Sequence, residues 1–174
     1  MALRQILTEP NEILRQRSLP VEQVDKDLQN LMDDMVETMY AAPGIGLAAI
    51  QVGIPKRVIV MDITQKEGPK KPIFFINPEI LFKSENTSTY EEGCLSVPGQ
   101  FAEIDRPEKC RIKYLDYYGQ KIETEAEGML ATCIQHEIDH LEGILFIDYL
   151  SQLKKKMIIK KLSKQKKAIE RIVV

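Results

Sequence analysis

Two histidines in this sequence could bind a metal ion, and they are the only histidines of the chain. His136 and His140 lie four residues apart in the segment QHEIDHLEGILF, and Glu137 directly follows the first. On a helix, residues four apart project from the same face, so both imidazoles can reach one ion. Glu137 would then lie beside the ion as a general base without binding it. The pattern favours a catalytic metal centre over two unrelated surface histidines.

A catalytic site of this kind needs a third protein ligand. The extended zinc-protease pattern requires a histidine where this chain has Phe146. The other common pattern uses a glutamate from a later helix, but two of the downstream acids are too close along the chain and the third lies in a basic segment. These acids are Glu142, Asp148 and Glu170. The third ligand is therefore expected upstream, and cysteine is the leading type.

The chain has three cysteines, and helix geometry chooses among them. Cys133 precedes His140 by about 10.5 Å along a helix axis, which is too far to share an ion with both histidines. Cys110 lies in an alternating strand pattern, where a thiol is usually a small buried hydrophobe. Cys94 lies between a glycine and a proline, on a predicted loop that can bring a thiolate to a helix. The predicted ligands are Cys94, His136 and His140, with one tetrahedral position open for water.

The elements that must position these residues follow from hydrophobic periodicity. Residues 25–42 predict an amphipathic helix, with a methionine-rich stripe that packs on a core. The other predicted elements are strands at 57–63 and 72–82, a hairpin of 110–117 with 121–127, and a helix at 128–141 capped by Gly143. We expect an α+β fold with mainly antiparallel sheets around the central metal-binding helix, and with helices at both ends.

Composition and charge divide the chain into two parts. Residues 151–174 hold nine basic residues and one acid, whereas residues 1–150 hold fifteen basic and twenty-five acidic residues. We expect one catalytic domain at 1–150 and a basic C-terminal helix at 151–174. No apolar run is long enough for a signal peptide or a membrane span, and three widely spaced cysteines do not suggest disulfides. The expected location is the cytoplasm.

The basic segment has apolar residues that would line one face of a helix. They are Leu150, Leu153, Met157, Ile158, Leu162 and Ile169. A packed amphipathic helix with a solvated outer face is one interpretation. Binding of the lysines to RNA phosphates is the other.

Three motifs together resemble the peptide deformylase family. GIGLAAIQ at 44–51, EGCLS at 92–96 and QHEIDH at 135–140 are similar to that family's three motifs and occur in the same order. The resemblance extends over essentially the whole chain, and the basic end is similar to the bacterial subtype that finishes in a long helix. It implies hydrolytic removal of the N-formyl group from new polypeptides that begin with formyl-methionine, releasing formate.

The resemblance also implies a role for each matching residue. The ligands would be the same three residues, and Glu137 would be the general base. Gln51 and the backbone N–H of Leu95 would be the oxyanion donors, and Gly46 a backbone contact. The family typically uses ferrous iron, with zinc, nickel or cobalt able to occupy the same site. A thiolate with two imidazoles also suits zinc, so the sequence does not select the ion.

The resemblance also indicates which residues would contact the substrate and which part of the chain would contact a partner. The candidates for the methionine pocket are Ile45, Leu95, Met129 and Cys133, with a plain core position as the alternative for each. Gly93 is a further candidate for substrate binding. Glu92 and Arg106 are candidates for a buried pair that supports the cysteine segment, with an exposed, unpaired Glu92 as the alternative. The basic helix would contact ribosomal RNA near the exit of the nascent chain, and neither a membrane nor DNA is an expected partner.

Three positions differ from the pattern that the resemblance leads us to expect. Phe101 stands where an arginine is often found near the substrate entrance, and Pro43 where an acidic residue is common. Thr132 replaces a more apolar residue near the methionine pocket. These differences bear on peptide anchoring and affinity rather than on the chemistry.

Other functions compete with deformylation. A metallopeptidase that cuts internal peptide bonds is disfavoured by Phe146 and by the missing downstream glutamate. A structural metal site in an RNA-binding module would need a fourth ligand, for which the sequence has no candidate. GIGLAA also fits a dinucleotide fingerprint, which requires a preceding strand and a following helix. Here a helix precedes it, and Gly53 and Pro55 prevent a long helix afterwards, so nucleotide binding is rejected.

Overall fold

A computed structural model describes residues 1–64 and 68–172, and within these ranges the chain forms three helices and seven strands. The helices are α1 (Lys26–Ala41), α2 (Gly128–Leu141) and α3 (Gln152–Ile172). The strands are β1 (Gly46–Ala48), β2 (Val58–Met61), β3 (Ile73–Lys83), β4 (Thr87–Cys94), β5 (Val97–Pro107), β6 (Lys109–Leu115) and β7 (Lys121–Glu127). Short 3₁₀ turns lie at Glu12–Arg15, Ala49–Val52 and Phe146–Tyr149.

The strands form two antiparallel sheets. The larger has the order β1-β2-β3-β6-β7, and the smaller is the β4–β5 hairpin. Strands β6 and β7 pair in register from Lys109↔Glu127 to Leu115↔Lys121, which confirms the predicted hairpin. The predicted α+β class with mainly antiparallel sheets is confirmed.

Helix α2 lies at the centre of the fold. Ten of its fourteen residues are buried, so the helix is enclosed on most sides rather than along one stripe. Its apolar residues Ile134 and Ile138 pack with Ile59, Phe75 and Ile112 of the large sheet. The helix also contacts β4 and β5, and it therefore lies between the two sheets.

The C-terminal end of α2 depends on a glycine. Gly143 has a φ of 75°, in the left-handed region that side chains rarely adopt. A Cβ at this position would also lie 2.4 Å from the carbonyl oxygen of Arg15. The predicted role of Gly143 at the helix end is confirmed, and both its conformation and its close packing require glycine.

The terminal helices pack on opposite parts of this framework. Helix α1 buries Met32, Met35 and Met39 against β1 and β2, as the periodicity predicts. Helix α3 packs on β5 and the Phe146–Tyr149 turn through Leu162, with Ile158 half-buried beside it.

The prediction of one apolar face on the basic helix is wrong for three of its residues. Leu153, Met157 and Ile169 are more than 60% exposed, although they were predicted to share a face with Leu162. The helix turns its lysine-rich side and these three residues outward, because only one narrow line of side chains meets the body of the protein. None of the described helices is both long and apolar enough to cross a membrane.

The sequence did not predict the β4–β5 hairpin. Cys94 was expected on a loop but is the last residue of β4, where the register with β5 shifts between Gly93 and Cys94. The shift lets the chain turn tightly through Leu95 and Ser96 while Cys94 stays anchored to a sheet. A ligand held by a strand is more rigidly placed than one on a free loop.

Candidate active site

Cys94, His136 and His140 come together at the junction of β4 and α2. Their donor atoms lie within 4.8 Å of one another, and Cys94 Sγ is 3.3 Å from His140 Nε2. Metal–ligand distances of about 2.0–2.3 Å put donors of one ion within about 4.6 Å of each other, so movements of a few tenths of an ångström are enough for the three to converge on a single cation. One thiolate and two imidazoles are also a common donor set for transition metals.

Polar atoms around this cluster lack protein partners. The Oε2 atom of Glu137 is buried beside the cluster and has no hydrogen-bond partner within the described part of the chain. The Nδ1 atom of His140 also lacks one, but it lies on the side of the ring away from the cluster, because Nε2 is the atom that faces Cys94. Buried polar groups are nearly always satisfied, so the Glu137 atom beside the cluster indicates a group that the protein alone does not supply. The chemistry and spacing of the residues therefore fit a bound metal ion with a carboxylate beside it.

The cluster lies at the bottom of a cavity of about 560 Å³, within the usual range for a small-ligand site. The cavity is lined by nearly all of the predicted site residues: Ile45, Gly46, Gln51, Gly93, Cys94, Leu95, Met129, Cys133, His136 and Glu137. His140 is buried and is not part of this lining, although its donor atom belongs to the cluster. The three positions that depart from the expected pattern, Pro43, Phe101 and Thr132, also line the cavity.

Comparison with known proteins identifies the family. Residues 3–156 match the family model described as polypeptide deformylase. The chain belongs to the peptide deformylase family. Its activity is therefore the hydrolytic removal of N-formyl groups from polypeptides, in a family that depends on a metal ion.

Individual relatives agree over the full length of the chain. The peptide deformylase of Pelagibacter ubique is 65% identical and aligns over 100% of both proteins. That of Phenylobacterium zucineum is 59% identical over 97% of this chain and 99% of its own. A crystal structure of the Ehrlichia chaffeensis enzyme in complex with actinonin has a TM-score of 0.90 and 45% identity, covering 95% of this chain and 98% of that one. A structure from Legionella pneumophila has a TM-score of 0.89 and 46% identity, with 98% and 99% coverage.

In this deformylase, an ionic network fixes the orientation of His136. The Nδ1 atom of His136 lies 2.8 Å from Glu92 Oε2, which leaves Nε2 facing the cluster. Arg106 donates to both carboxylate oxygens of Glu92 and, at 2.8 Å, to Asp139. Glu92 and Arg106 are both buried, so the buried pair rather than an exposed Glu92 is what the structure contains. A carboxylate behind a histidine sets its tautomer and strengthens it as a ligand.

The network reaches the surface through residues that the sequence did not single out. Tyr149 donates a 2.7 Å hydrogen bond to Asp139, and the Arg106 guanidinium lies over the Tyr149 ring. Asp139 lies inside the histidine motif, but nothing in the sequence connects it to Arg106 or Tyr149. These contacts join the ligand helix α2 to the turn that precedes α3.

Burial and charge shift the proton affinities of the site residues. Burial raises the pKa of Glu137 to about 7, partly offset by the nearby His136. A bound cation would lower this pKa again, since positive charge favours the carboxylate form. For His136, burial lowers the pKa, but hydrogen bonds to Cys94 and Glu92 raise it well above its ordinary value. A bound cation would oppose this protonation, because a metal ion binds the neutral imidazole.

His140 and Cys133 both stay neutral. Burial and the positive charge of His136 lower the pKa of His140 well below its ordinary value, so this imidazole keeps a free lone pair. Burial raises the pKa of the Cys133 thiol to about 12, so Cys133 contributes to the cavity as an apolar wall. A neutral His140 suits its predicted role as a metal ligand, and a protonated Cys133 suits its predicted role in the substrate pocket.

Gly46 holds Glu137 in place by lacking a side chain. A Cβ at position 46 would lie 2.5 Å from Glu137 Oε1 and 2.9 Å from its Cδ, so the carboxylate rests directly on strand β1. The carboxylate, at the end of a flexible side chain, can move away more easily than the strand. Gly46→Ala is therefore expected to displace the carboxylate by about an ångström without unfolding the protein, a shift that can cost about 100-fold in rate.

Steady-state kinetics with formyl-Met-Ala-Ser would measure this loss in kcat, with metal content and melting temperature recorded on the same samples. Gly68→Ala is the matched control, because a Cβ at Gly68 would meet nothing within 4 Å. A Gly46→Ala enzyme with the kcat of the unchanged protein would show that the close contact does not position Glu137.

Proposed function

We propose that the chain hydrolyses the formyl group of formyl-methionyl nascent polypeptides with one divalent metal ion held by Cys94, His136 and His140. The observation that carries this proposal is the convergence of three donor residues beside the cavity, next to Glu137, whose Oε2 atom has no hydrogen-bond partner among the described residues. Three protein donors leave a coordination position open, which is typical of catalytic rather than structural sites. When bound, the ion supplies Lewis-acid chemistry that polarises a carbonyl oxygen and lowers the pKa of water.

Glu137 is proposed as the general base. A carboxylate oxygen takes the proton from the attacking water and later delivers it to the departing amine nitrogen. The lack of a partner for Oε2 supports this role, because no protein donor competes for the proton-accepting atom within the described residues.

Gln51 and Leu95 are proposed as the donors to the oxyanion that forms on the formyl oxygen. Gln51 is 1% exposed, and its Nε2 atom lies 3.6 Å from Cys94 Sγ, at the same end of the cavity as the cluster. Leu95 directly follows Cys94 at the turn between β4 and β5. Loss of one such donor costs roughly 3–4 kcal/mol of transition-state stabilisation. Gly46, which also lines the cavity, is proposed as a backbone contact to the peptide.

The apolar walls are proposed to receive the methionine side chain. Ile45, Gly93, Met129 and Cys133 line the cavity, and Leu95 packs against Gly44 at its edge. Met129 is 49% exposed and Phe101 66% exposed, so both lie at the mouth rather than the bottom. A formyl group is the smallest acyl group, so we expect the site around the cluster to admit it and to exclude ordinary peptide bonds.

The test compares three substrates: formyl-Met-Ala-Ser, the same peptide without the formyl group, and casein. We expect formate release from the first and no cleavage of the other two. Cleavage of casein would favour an internal metallopeptidase and overturn the proposal. Absence of turnover with a full complement of metal would favour a structural metal site, which the three-donor cluster does not otherwise support.

The native ion is proposed to be Fe²⁺, from the family resemblance, with Zn²⁺, Ni²⁺ or Co²⁺ able to occupy the same donors. A cytoplasmic location suits this chemistry, since the unpaired cysteines fit a reducing compartment. Metal analysis of protein purified without oxygen, paired with formate release, tests the assignment. A stoichiometric zinc content with full activity would contradict iron as the native ion.

Residues 1–150 are proposed to form the catalytic domain and residues 151–174 a ribosome-contacting helix. In α3, only Leu162 is fully buried, and the lysines of the outward side are free to approach phosphates. Removing residues 151–174 is expected to weaken ribosome binding and to flatten its salt dependence, because each lysine–phosphate contact releases counterions. A salt titration of ribosome binding by both proteins measures the effect, with formyl-Met-Ala-Ser turnover as the control for folding. Coincident titration curves would contradict the ribosome contact.

A further inference from the structure

Ser96 lies next to the proposed oxyanion donor but was not among the predicted site residues. It is fully buried at the turn between β4 and β5, and its Oγ accepts a 3.0 Å hydrogen bond from Gln51 Nε2. The two residues are 45 positions apart in the sequence, and only the fold joins them. We propose that Ser96 is a positioning residue that fixes the Gln51 amide so that one N–H faces the reacting formyl oxygen.

Three contacts leave the Gln51 side chain a single orientation. Its Oε1 atom accepts a 2.9 Å hydrogen bond from the backbone N–H of Ala48, which identifies the oxygen end of the amide. Ser96 accepts one Nε2 hydrogen, and the other lies on the side of the donor cluster, with Nε2 3.6 Å from Cys94 Sγ. This second hydrogen is the one proposed to face the formyl oxygen. Without Ser96, the amide would keep only the Ala48 contact to its oxygen and the long contact to sulfur, and it could rotate about its last side-chain bond. Ser96 thus removes the freedom that would weaken a preorganised donor.

The backbones of Gln51 and Ser96 are braced by one segment. The N–H of Leu7 donates to the carbonyl of Gln51 at 2.7 Å, and the N–H of Glu9 donates to the carbonyl of Ser96 at 2.8 Å. Two residues that are two apart in sequence, Leu7 and Glu9, therefore hold the donor and its support at a fixed separation. This common anchor explains how a 3.0 Å contact between β4–β5 and the Ala49–Val52 turn is kept.

This inference rests on the proposed donor role of Gln51, and the test separates the two. Four proteins are compared: the unchanged enzyme, Ser96→Ala, Gln51→Ala and the double variant. Loaded with Co²⁺ and assayed with formyl-Met-Ala-Ser, Gln51→Ala is expected to lose about 10²- to 10³-fold in kcat. Ser96→Ala is expected to lose about 10- to 100-fold in kcat with KM changed less than about twofold, and the double variant to equal Gln51→Ala.

A second measurement reports directly on the environment of the Gln51 side-chain amide. In the Zn²⁺-loaded protein, the side-chain NH₂ resonances of Gln51 are expected to shift in Ser96→Ala and to return toward their original positions in Ser96→Thr, which keeps the hydroxyl. Ser18→Ala is the matched control, since Ser18 is also buried but its hydroxyl has no partner among the described residues. Ser96→Gly provides a second hydroxyl-free variant if alanine at this position does not fold.

The outcomes are distinct. Two results would overturn the positioning role alone. One is an equal loss in kcat when Ser96 is replaced in the unchanged enzyme and in Gln51→Ala; the other is unchanged Gln51 resonances in Ser96→Ala. Full activity of Ser96→Ala beside an impaired Gln51→Ala would do the same. A fully active Gln51→Ala enzyme would overturn the donor role of Gln51 and the positioning role with it.

Discussion

Replacing Glu137 by alanine is expected to lower kcat by about 10²- to 10⁴-fold while the protein keeps its metal ion, the usual effect of removing a general base. The carboxylate lies on Gly46, beside the donor cluster but outside it, so its removal leaves all three proposed ligands in place. No fold stability should be lost, because the carboxyl is buried and Oε2 has no hydrogen-bond partner in the described chain. The melting temperature is expected to stay the same or to rise.

The measurement is kcat for formyl-Met-Ala-Ser together with metal content per chain. Glu91→Ala is the matched control, because Glu91 also lines the cavity but is exposed at its mouth. Its kcat should stay within about twofold of the unchanged enzyme, as for a surface charge far from the reacting atoms. Loss of metal in Glu137→Ala would mean that Glu137 is a ligand, and retained turnover would remove it as the base.

The central helix could be predicted from the sequence because several local signals agree. The apolar residues of 128–141 recur with a helical period, and Gly143 marks the end, so the predicted and observed boundaries of α2 coincide. Once that helix forms, the four-residue spacing of His136 and His140 is enough to bring two donors together. Cys94 could then be selected by excluding cysteines whose distance or strand pattern was unsuitable, and the structure places it in the three-donor cluster.

The β4–β5 hairpin could not be predicted because it lacks alternating hydrophobicity. Of the eight residues in β4, only Glu92 is buried, and its charge is satisfied by Arg106 and His136 rather than by an apolar layer. A strand that is polar on both faces gives no period-two signal. Cys94 was therefore assigned to a loop, although its place at the end of a strand follows from pairing with a distant segment.

Contacts between distant segments account for the other differences. The Gln51–Ser96 hydrogen bond and the Arg106–Asp139–Tyr149 contacts join residues on separate elements, and no local pattern specifies them. In α3, the sequence contains apolar residues over a wide arc, but the narrow contact with β5 buries only Leu162. Periodicity predicts which residues could be buried, whereas the neighbouring elements decide which of them are.

Replacing Cys94 by alanine is expected to abolish metal binding, and not only to slow the reaction. Only Cys94 supplies sulfur to the cluster, and two imidazoles from one helix turn would be left as the protein donors. Losing an outer partner of a metal ligand already costs about 10- to 100-fold in affinity, so loss of a ligand itself should cost more than about 100-fold. Metal content after dialysis should fall from about one ion per chain to a small fraction, and activity should fall with it.

Cys133→Ala is the matched control, because Cys133 lines the same cavity and its thiol stays protonated, with a pKa of about 12. That variant should keep its metal and lose only the contact area of one small side chain. The metal-free forms of all three proteins should melt at similar temperatures, since Cys94 is half-buried and its Sγ serves the site rather than the core. A Cys94→Ala protein with a full complement of tightly held metal would refute the ligand set, because two histidines four residues apart cannot by themselves make the three-donor site that the reaction requires.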